Sequence, residues 1–427
     1  MKPARASLVA SLAVACSVGY EGEGPRAEAR DYLDATAASL RAGEIERAEE
    51  LLQRARSRFG GDEGVLLWSA LLGQMRGRDR EALRDFLALR RSAGLAGLAQ
   101  ADLHGRIGDL MFRDGRWAES IPYLLAAATG EQQELRKALA TLAALLPYER
   151  HQPRALAAEM PLIGGRLPRL VCTIGGKQRP LVLDTGATYT TVTTTLATEL
   201  GVQPILPAGR ALDGTGQPFA IAVGKLAGVE LAEVGLGDMP VLVVADDRLL
   251  LRDLSGGTEL SAEGVVGQDV LLRFRVTFDP GRGSVLCELP RGLAESESVP
   301  CVRHEGRLLA PVRCEGQTLW LVIDTGASHS SLTEQGLAVL PGGARRVVES
   351  YAKLRGPGGT AVAVRAVTGL ALVVGGMRFA AVDLPVLSRG PSGIFPVHGV
   401  LGADLLLRCR VTIDSQRLRL AAVGPGK

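Results

Sequence analysis

The stretch LVLDTGATYTTV, residues 181–192, places one carboxylate, Asp184, directly after an apolar run and directly before a Thr-Gly pair. A closely similar stretch, LVIDTGASHSSL, occupies residues 321–332 with Asp324 in the matching position. A single D-T-G is typical of an ordinary turn, because Asp and Gly are both common turn residues. Here each aspartate ends a strand-like apolar run, where an unpaired charge is costly. The repetition favours one site built from two halves over two separate turns.

Two further features follow each D-T-G stretch in the same order. The first is a glycine-rich hairpin signal, DGTGQP at 213–218 and RGPGGT at 355–360. The second is a Gly-x-Asp segment, within GVVGQDVLLRFRVTFD at 264–279 and GVLGADLLLRCRVTID at 399–414. Three features in the same order, twice, indicate a duplicated domain.

The composition after about residue 150 is typical of an all-β region. Val, Leu, Thr and Gly dominate in short alternating or apolar runs that turn signals separate. We expect one half at 160–290 and the other at 301–424. The polar stretch RGLAESESVP at 291–300 is the expected linker between them.

Residues 26–150 differ sharply, being rich in Ala, Leu, Arg and Glu at helical spacing. Three similar pieces, AGEIERAEELLQRA, RGRDREALRDFLAL and DGRWAESIPYLLAA, contain glycines 34 and then 38 residues apart, namely Gly43, Gly77 and Gly115. Five residues after each glycine stands a small residue that allows close helix packing: Ala48, Ala82 and Ser120. Period and pattern resemble the tetratricopeptide repeat, whose stacked helix pairs form a concave binding face. An unrelated helical bundle is the alternative.

The N-terminus has the anatomy of a secretory signal peptide at residues 1–15, with basic residues ahead of a short apolar run. LAVAC at 12–16 also resembles the lipobox of bacterial lipoproteins, which implies lipidation of Cys16 and a short linker at 16–25. A plain cleaved signal peptide is the alternative. We expect an exported protein of the bacterial periplasm or cell envelope. Its membrane contact would be limited to a lipid anchor, because no stretch approaches about 20 uninterrupted apolar residues.

Length and charge narrow the classes of function. A chain of 427 residues is long enough for two or three domains with cores of their own. The net charge is only +3 and the basic residues are scattered, so nucleic-acid binding is not indicated.

Several kinds of site lack their patterns in this sequence. The histidines and cysteines show neither H-E-x-x-H nor C-x-x-C spacing, so we expect no metal and no cofactor. No G-x-S-x-G is present for a serine nucleophile, and the second aspartate typical of haloacid-type phosphoryl transfer is missing. Five cysteines remain after Cys16, an odd number, and Cys287 and Cys301 are candidates for a disulfide.

Two D-T-G-A loops, each followed by an apolar-Gly-x-Asp segment, resemble the retropepsin-type aspartic proteases. That family builds one active site from two equivalent halves, and this chain resembles both halves fused. The resemblance implies a pseudo-twofold, bilobal acid-protease barrel behind the all-α helical-repeat domain, with Asp184 and Asp324 as the catalytic pair. The residues that would support the two active-site loops are Thr185, Gly186, Thr325 and Gly326. The VVGQDVL and VLGADLL segments would pack behind these loops.

The two glycine-rich hairpins would be the flaps of such an enzyme. The flap candidates are Gly214, Thr215, Gly216, Gly356, Gly358 and Gly359. Two flaps favour a retropepsin-like arrangement over a pepsin-like one, which has a single flap.

The leading hypothesis is an aspartic endopeptidase whose helical repeats bind a polypeptide substrate or a protein partner. Two carboxylates held close together keep one proton between them and can perform general acid–base hydrolysis. The residues do not decide which aspartate starts ionised, because the two loops are nearly identical. The alternative is a non-catalytic envelope lipoprotein that binds peptides or protein partners. A fused pair of halves has no need to self-associate, so we expect a monomer.

Overall fold

The computed structural model describes residues 25–91, 98–146, 157–163, 167–212, 218–231, 234–252, 259–289, 293, 297–344, 346–355, 361–387 and 393–424. These residues form two compact units, a helical unit that ends at Ala143 and a β unit that begins at Ala144. Residues 393–396 group with the helical unit. No helix in the described part of the chain is long and apolar enough to cross a membrane.

The helical unit contains seven described α-helices. They are α1 (Pro25–Arg41), α2 (Ile45–Phe59), α3 (Glu63–Met75), α4 (Asp79–Arg91), α5 (Leu98–Arg113), α6 (Trp117–Ala126) and α7 (Gln133–Ala143). One core cluster is formed by apolar side chains of α3, α4 and α5, among them Ala70, Phe86 and Ile107, which are fully buried.

The three glycines of the sequence pattern each end the first helix of a helical pair. Gly43, Gly77 and Gly115 have φ values of 75°, 72° and 75°, in the left-handed region that glycine adopts without a steric penalty. In the second of these turns the N–H of Gly77 bonds to the carbonyl of Gln74, and the N–H of Arg78 bonds to that of Gly73. This is the Schellman arrangement, which pairs the last carbonyls of a helix. Identical hydrogen bonds form at the other two turns.

The small residues that follow these glycines are buried, at 0% exposure for Ala48, 1% for Ala82 and 0% for Ser120. The structure therefore has helical pairs at the predicted positions. The assignment to tetratricopeptide repeats stays a prediction.

The β unit holds two large sheets with the same strand order. The first half supplies β2 (Arg169–Ile174), β3 (Lys177–Leu183), β4 (Thr191–Thr193), β5 (Ile205–Leu212), β6 (Pro218–Leu231), β7 (Val234–Val244) and β10 (Gly264–Val266). The second supplies β14 (Val302–His304), β15 (Arg307–Cys314), β16 (Gln317–Ile323), β17 (Ser331–Thr333), β18 (Val347–Arg355), β19 (Ala361–Val374), β20 (Met377–Leu387) and β21 (Gly399–Leu401). A small separate hairpin consists of β8 (Leu250–Arg252) and β9 (Glu259–Ser261).

The order in the first sheet is β2-β3-β10-β4-β7-β6-β5, and β15-β16-β21-β17-β20-β19-β18 repeats it in the second, where β14 is added at one edge. Parallel and antiparallel pairings also match. For example, β3 runs parallel to β10, and β16 runs parallel to β21. The duplication read from the sequence is therefore a duplication of topology, and the β unit is all-β and bilobal as expected.

A third sheet combines both halves. Its strands are β1 (Ala157–Pro161), β11 (Arg275–Asp279), β12 (Ser284–Glu288), β13 (Val299–Pro300), β22 (Arg410–Asp414) and β23 (Arg419–Val423), in the order β1-β12-β11-β22-β23-β13. At its centre Thr277 pairs with Thr412, its own counterpart in the other half, and their hydroxyl oxygens lie 2.9 Å apart. The pseudo-twofold axis therefore passes between these two threonines. Because β13 belongs to this sheet, the end of the expected linker is a strand instead.

The five cysteines of the described residues are all free and buried. The disulfide considered between Cys287 and Cys301 is therefore not formed. Cys287 and Cys301 are 0% and 1% exposed, and each thiol packs into the core of the β unit as a small apolar group. Burial raises the pKa of Cys287 to about 12, so the reactive thiolate is strongly disfavoured.

Candidate active site

Each of the two aspartates follows the end of a buried strand. Strand β3 ends at Leu183 and β16 ends at Ile323, one residue before Asp184 and Asp324 respectively. The backbone N–H of each aspartate bonds to the neighbouring parallel strand, at 3.0 Å in both halves. This hydrogen bond to the neighbouring strand therefore fixes the position at which each loop leaves the sheet.

The loop backbone turns back onto its own carboxylate. Asp184 Oδ1 accepts hydrogen bonds from the N–H groups of Gly186 and Ala187, at 2.8 and 3.0 Å. Asp324 Oδ1 accepts the equivalent bonds from the second loop, both at 2.9 Å. One oxygen of each carboxylate is thereby held in place, because a charged acceptor strengthens these bonds.

The two loops are locked together by their threonines. The N–H of Thr185 donates to Thr325 Oγ1 at 3.1 Å, and the N–H of Thr325 donates to Thr185 Oγ1 at 3.0 Å. Each hydroxyl then donates to the strand carbonyl that precedes the opposite aspartate, Ile323 O at 2.8 Å and Leu183 O at 2.6 Å. Both threonines are almost completely buried. This reciprocal network brings the two loops together with the symmetry that the sequence repeat suggested.

The glycines of the two loops make room for the opposite carboxylate. A Cβ on Gly186 would lie 2.6 Å from Asp324 Oδ1, and one on Gly326 would lie 2.5 Å from Asp184 Oδ1. Neither distance is compatible with a side chain. The two carboxylates therefore face each other across the axis, each seated over the glycine of the other loop.

The pair is electrostatically coupled. Burial raises the pKa of Asp184 to about 8, and the negative charge of Asp324 adds to this rise, against the opposing effect of the loop N–H groups. Burial also raises the pKa of Asp324, while a hydrogen bond with Asp184 and the cation of Arg307 act to lower that pKa. Two carboxyl groups that face each other in this way cannot both ionise easily, so the pair holds one proton over a wide range of pH.

A short helix stands behind each loop, within the VVGQDVL and VLGADLL segments. These helices are Gln268–Leu271 in the first half and Ala403–Leu406 in the second. The Asp269 carboxylate accepts hydrogen bonds from the N–H and the hydroxyl of Thr190, at 2.9 and 2.8 Å. Burial raises the pKa of Asp269 to about 6. From the sequence we expected these segments only to pack behind the loops. The repeated Gly-x-Asp pattern would have been sufficient to predict that the two aspartates support the loops.

The equivalent bonds in the second half run from Ser330 to Asp404, at 2.8 and 2.7 Å. One residue of these segments breaks the symmetry. Gln268 is 3% exposed, and its Nε2 donates to the carbonyl of Thr185 at 2.6 Å, whereas its Oε1 has no partner among the described residues. The second half carries Ala403 at this position. Alignment of the two repeats pairs Gln268 with Ala403, but it does not reveal that Gln268 contacts the loop.

Other predicted residues lie outside the described part of the chain. These are the flap candidates Gly214, Thr215, Gly216, Gly356, Gly358 and Gly359, and the lipidation candidate Cys16. The described strands on either side of these glycine-rich stretches pair antiparallel, β5 with β6 and β18 with β19. Within the described residues no cluster of three or more His, Cys, Asp or Glu could hold a metal ion.

Two solved structures are similar to this chain at low sequence identity. The structure is similar to the aspartic proteinase from Irpex lacteus, with 14% sequence identity, a TM-score of 0.37, and coverage of 63% of this chain and 98% of that chain. It is also similar to a retropepsin-like aspartic protease from Rickettsia conorii, with 17% identity, a TM-score of 0.24, and coverage of 33% of this chain and 96% of that one.

No curated protein matches this sequence significantly. A family model described as aspartyl protease matches residues 170–270 and residues 310–405. Asp184 lies in the first matched segment and Asp324 in the second. The β unit thus matches the aspartyl protease family twice, once in each half.

Proposed function

We propose that the β unit is an aspartic endopeptidase that hydrolyses peptide bonds with a water molecule activated between Asp184 and Asp324. The observation that carries this proposal is the placement of two coupled carboxylates face to face on loops that the threonine network holds together. The aspartyl protease match over both halves supports it.

The chemistry follows from one shared proton. The ionised carboxylate takes a proton from water as the water oxygen bonds to the scissile carbonyl carbon. The protonated carboxyl transfers its own proton to the carbonyl oxygen, which gives a neutral gem-diol. In the second step the first carboxyl passes its proton to the amide nitrogen as the C–N bond breaks. A gem-diol hydroxyl returns a proton to the other carboxylate, so the pair recovers its starting state and no covalent intermediate forms.

For the rest of the chain, we propose that the helical pairs bind the polypeptide substrate or a protein partner. Helical pairs that stack side by side supply an extended surface for such binding. Export, lipidation at Cys16 and closure of two glycine-rich flaps over the peptide complete the hypothesis. They rest on the sequence patterns alone.

Two substitutions test the activity. Wild type, D184N and D324N would be incubated with a peptide library from about pH 4 to pH 9, and the cleavage products identified by mass spectrometry. We expect a loss of at least ~100-fold in each variant, because each removes one partner of the acid–base pair. Asp247 has a strongly exposed side chain outside the site, so D247N is the matched control and should cleave like wild type. Undiminished cleavage by D184N or D324N would rule out the proposed mechanism.

The alternative function has its own outcome in this experiment. If wild type cleaves no peptide at any pH, a non-catalytic envelope lipoprotein that binds peptides becomes the better hypothesis. An inexpensive preliminary measurement is the melting temperature with a statine-type inhibitor, whose hydroxyl stands in for that of the gem-diol. Binding to the native dyad should raise the melting temperature of wild type in a concentration-dependent way.

A further inference from the structure

The short helices behind the two loops can be compared position by position. Gln268 begins the helix of the first half and Ala403 begins that of the second, and each follows a glycine. Each of these two residues donates its backbone N–H to the carbonyl of the loop alanine in its own half, Ala187 or Ala327, at 2.8 Å. Gln268 and Ala403 are therefore structurally equivalent, and only their side chains differ.

The side chain of Gln268 is directed at the first loop. It is 3% exposed, and its Nε2 donates to the carbonyl oxygen of Thr185 at 2.6 Å. The orientation of this amide follows from the contact, because only its nitrogen can donate to a carbonyl oxygen. Its Oε1 is left buried without a partner among the described residues, which is unfavourable. The second half has neither this bond nor this unpaired oxygen, because alanine has no polar side-chain atom.

The bond to Thr185 reaches Asp184 through one peptide group. The carbonyl of Thr185 and the N–H of Gly186 belong to the same planar amide, whose resonance couples its two ends. A donor at the carbonyl oxygen makes the N–H of that amide a stronger donor, since consecutive hydrogen bonds polarise one another. The N–H of Gly186 in turn donates to Asp184 Oδ1 at 2.8 Å. A continuous chain of two hydrogen bonds thus leads from Gln268 to the dyad.

The direction of the effect follows from the acceptor. A stronger N–H donor favours the ionised carboxylate over the neutral carboxyl. The N–H of Gly186 already acts in this direction, because it lowers the pKa of Asp184 against the larger rise that burial and Asp324 cause. Loss of the Gln268 donor should therefore make Asp184 harder to ionise.

Gln268 is uncharged, so its replacement alters no charge near the dyad. The titratable or charged groups around the first loop are Asp324 on the facing loop, Asp269 on the helix behind it, Tyr189 on the loop itself, and Glu305 and Arg307 on either side of Gly306, which lies against Thr188. All of them remain in a Gln268 variant. A change in the titration of Asp184 would therefore come from the amide contact.

We propose that Gln268 is a positioning residue that polarises the Thr185–Gly186 peptide group, so that this group stabilises the ionised form of Asp184. Asp324 accepts equivalent N–H groups from its own loop, but Ala403 supplies no side-chain donor to reinforce them. The two carboxyls thus differ although their loops repeat. The catalytic consequence rests on the proposed peptidase function: the last proton of the pair is released more readily near neutral pH, where it can pass to the scissile carbonyl oxygen.

Two NMR titrations test the proposal without requiring activity. In D324N only Asp184 of the pair titrates, and in D184N only Asp324 does, so carbon-13 NMR of aspartate-labelled protein follows each carboxyl alone. Q268M removes the donor at nearly constant volume, and we expect it to raise the midpoint of Asp184 by about 0.3 pH unit or more. The midpoint of Asp324 should stay in place. An unmoved Asp184, or an equal shift of both carboxyls, overturns the proposal.

The amide proton of Gly186 reports the polarisation itself. Protein labelled with carbon-13 at threonine carbonyls and nitrogen-15 at glycine gives signals that select Thr-Gly pairs, of which the sequence has five. Q268M should move the Gly186 amide proton upfield, because its hydrogen bond weakens, and should leave that of Gly326 unchanged. Gln178 is exposed on strand β3, so Q178M is the control and should move neither signal. Equal shifts of the two glycine signals in Q268M would contradict the proposal.

The pH profile of kcat/KM connects the contact with activity. In Q268M the basic limb, expected near pH 8, should move upward by about the same 0.3 unit, and Q178M should match wild type. A role that is only structural would lower kcat/KM equally at every pH and leave the limb in place, which would overturn the catalytic consequence. If Q268M does not fold, Q268A, with the residue of the second half, replaces it in all three measurements. If wild type cleaves no peptide, the peptidase function fails while the NMR measurements still decide the role of Gln268.

Discussion

Thr185 and Thr325 exchange backbone-to-hydroxyl hydrogen bonds of 3.1 and 3.0 Å across the boundary between the two halves of the β unit. Each hydroxyl therefore accepts a backbone N–H from the other half and donates to a strand carbonyl of that other half. The positions of the two aspartates relative to each other depend on this network, because it ties the loops together one residue away from the carboxylates.

Loss of one threonine hydroxyl should destabilise the β unit. T185V keeps the side-chain shape but leaves the N–H of Thr325 and the carbonyl of Ile323 unpaired in a buried site. We expect a decrease of about 2–4 kcal/mol in the free energy of unfolding, measured by urea denaturation. T198V is the control, because the Thr198 hydroxyl is exposed and bonds only within its own helix, and it should change stability by less than about 0.5 kcal/mol. The double variant T185V/T325V should lose less than the sum of the single losses, since both belong to one network.

Activity should be greatest near neutral pH. The active form carries one proton on the pair, and burial together with Asp324 raises the pKa of Asp184 to about 8. We expect kcat/KM to fall as pH rises through about 8, where this proton is lost. On the acidic side it should fall at a pH above the ordinary aspartate range, because the pKa of Asp324 is also raised. A profile with its maximum near pH 3 would contradict this assignment.

The raised pKa of Asp184 also predicts how stability depends on pH. The folded state keeps a proton that the unfolded state releases, so the contribution is full below the unfolded pKa and is lost as pH rises through the folded pKa near 8. D184N does not titrate. Its stability relative to wild type should therefore increase with pH by up to about 1.4 kcal/mol per unit between about pH 4 and pH 8. A stability difference between D184N and wild type that does not change with pH would mean that Asp184 ionises normally in the folded wild-type protein.

The loop glycines should tolerate no side chain. In G186A the new Cβ would overlap the carboxylate of Asp324 and push it out of line with Asp184. We expect a loss of kcat/KM of about 100-fold or more, because a small displacement of a reacting group has that effect. Apart from its chain neighbours, no atom of the described residues lies within 4 Å of the Cβ position at Gly235, a glycine of β7, so G235A should retain wild-type activity. Equal activities of G186A and G235A would show that the loop can move aside.

Acid should weaken the second half through His398. This side chain is 5% exposed, and its Nδ1 accepts the backbone N–H of Trp320 at 2.9 Å, which requires an unprotonated nitrogen. Burial lowers the pKa of His398 to about 4. The associated stability is full above the ordinary pKa of about 6.5 and is lost as pH falls toward 4, a change of about 3 kcal/mol. H398Q can still accept the bond but does not titrate, so denaturation of this variant should show a smaller loss of stability between pH 7 and pH 4.

Local patterns predicted much of the architecture. The three turn glycines of the helical unit, Gly43, Gly77 and Gly115, have the positive φ that only glycine adopts freely, and the small residues after them are buried. The doubled order of D-T-G, hairpin signal and Gly-x-Asp predicted two halves, and the sheets have matching strand order. Such features are readable because each depends on residues close together in the chain.

Other expectations failed because they depend on distant parts of the chain. Cys287 and Cys301 suggested a bridge, yet the fold buries them as separate thiols. Val299–Pro300 reads as the end of a polar linker, but it pairs with β23 and extends the central sheet. Spacing and polarity alone do not reveal which strand a segment will meet.

The sequence by itself determined that Asp184 and Asp324 are equivalent members of a repeated motif, since two copies of one local pattern must turn in the same way. Only the tertiary structure placed the two carboxylates face to face, through threonines 140 residues apart in the chain. It also decided where the equivalence ends. Gln268 occupies a position that is Ala403 in the second half, and its side chain donates to the carbonyl of Thr185. This contact arises from the folded arrangement of the chain, which no local pattern encodes.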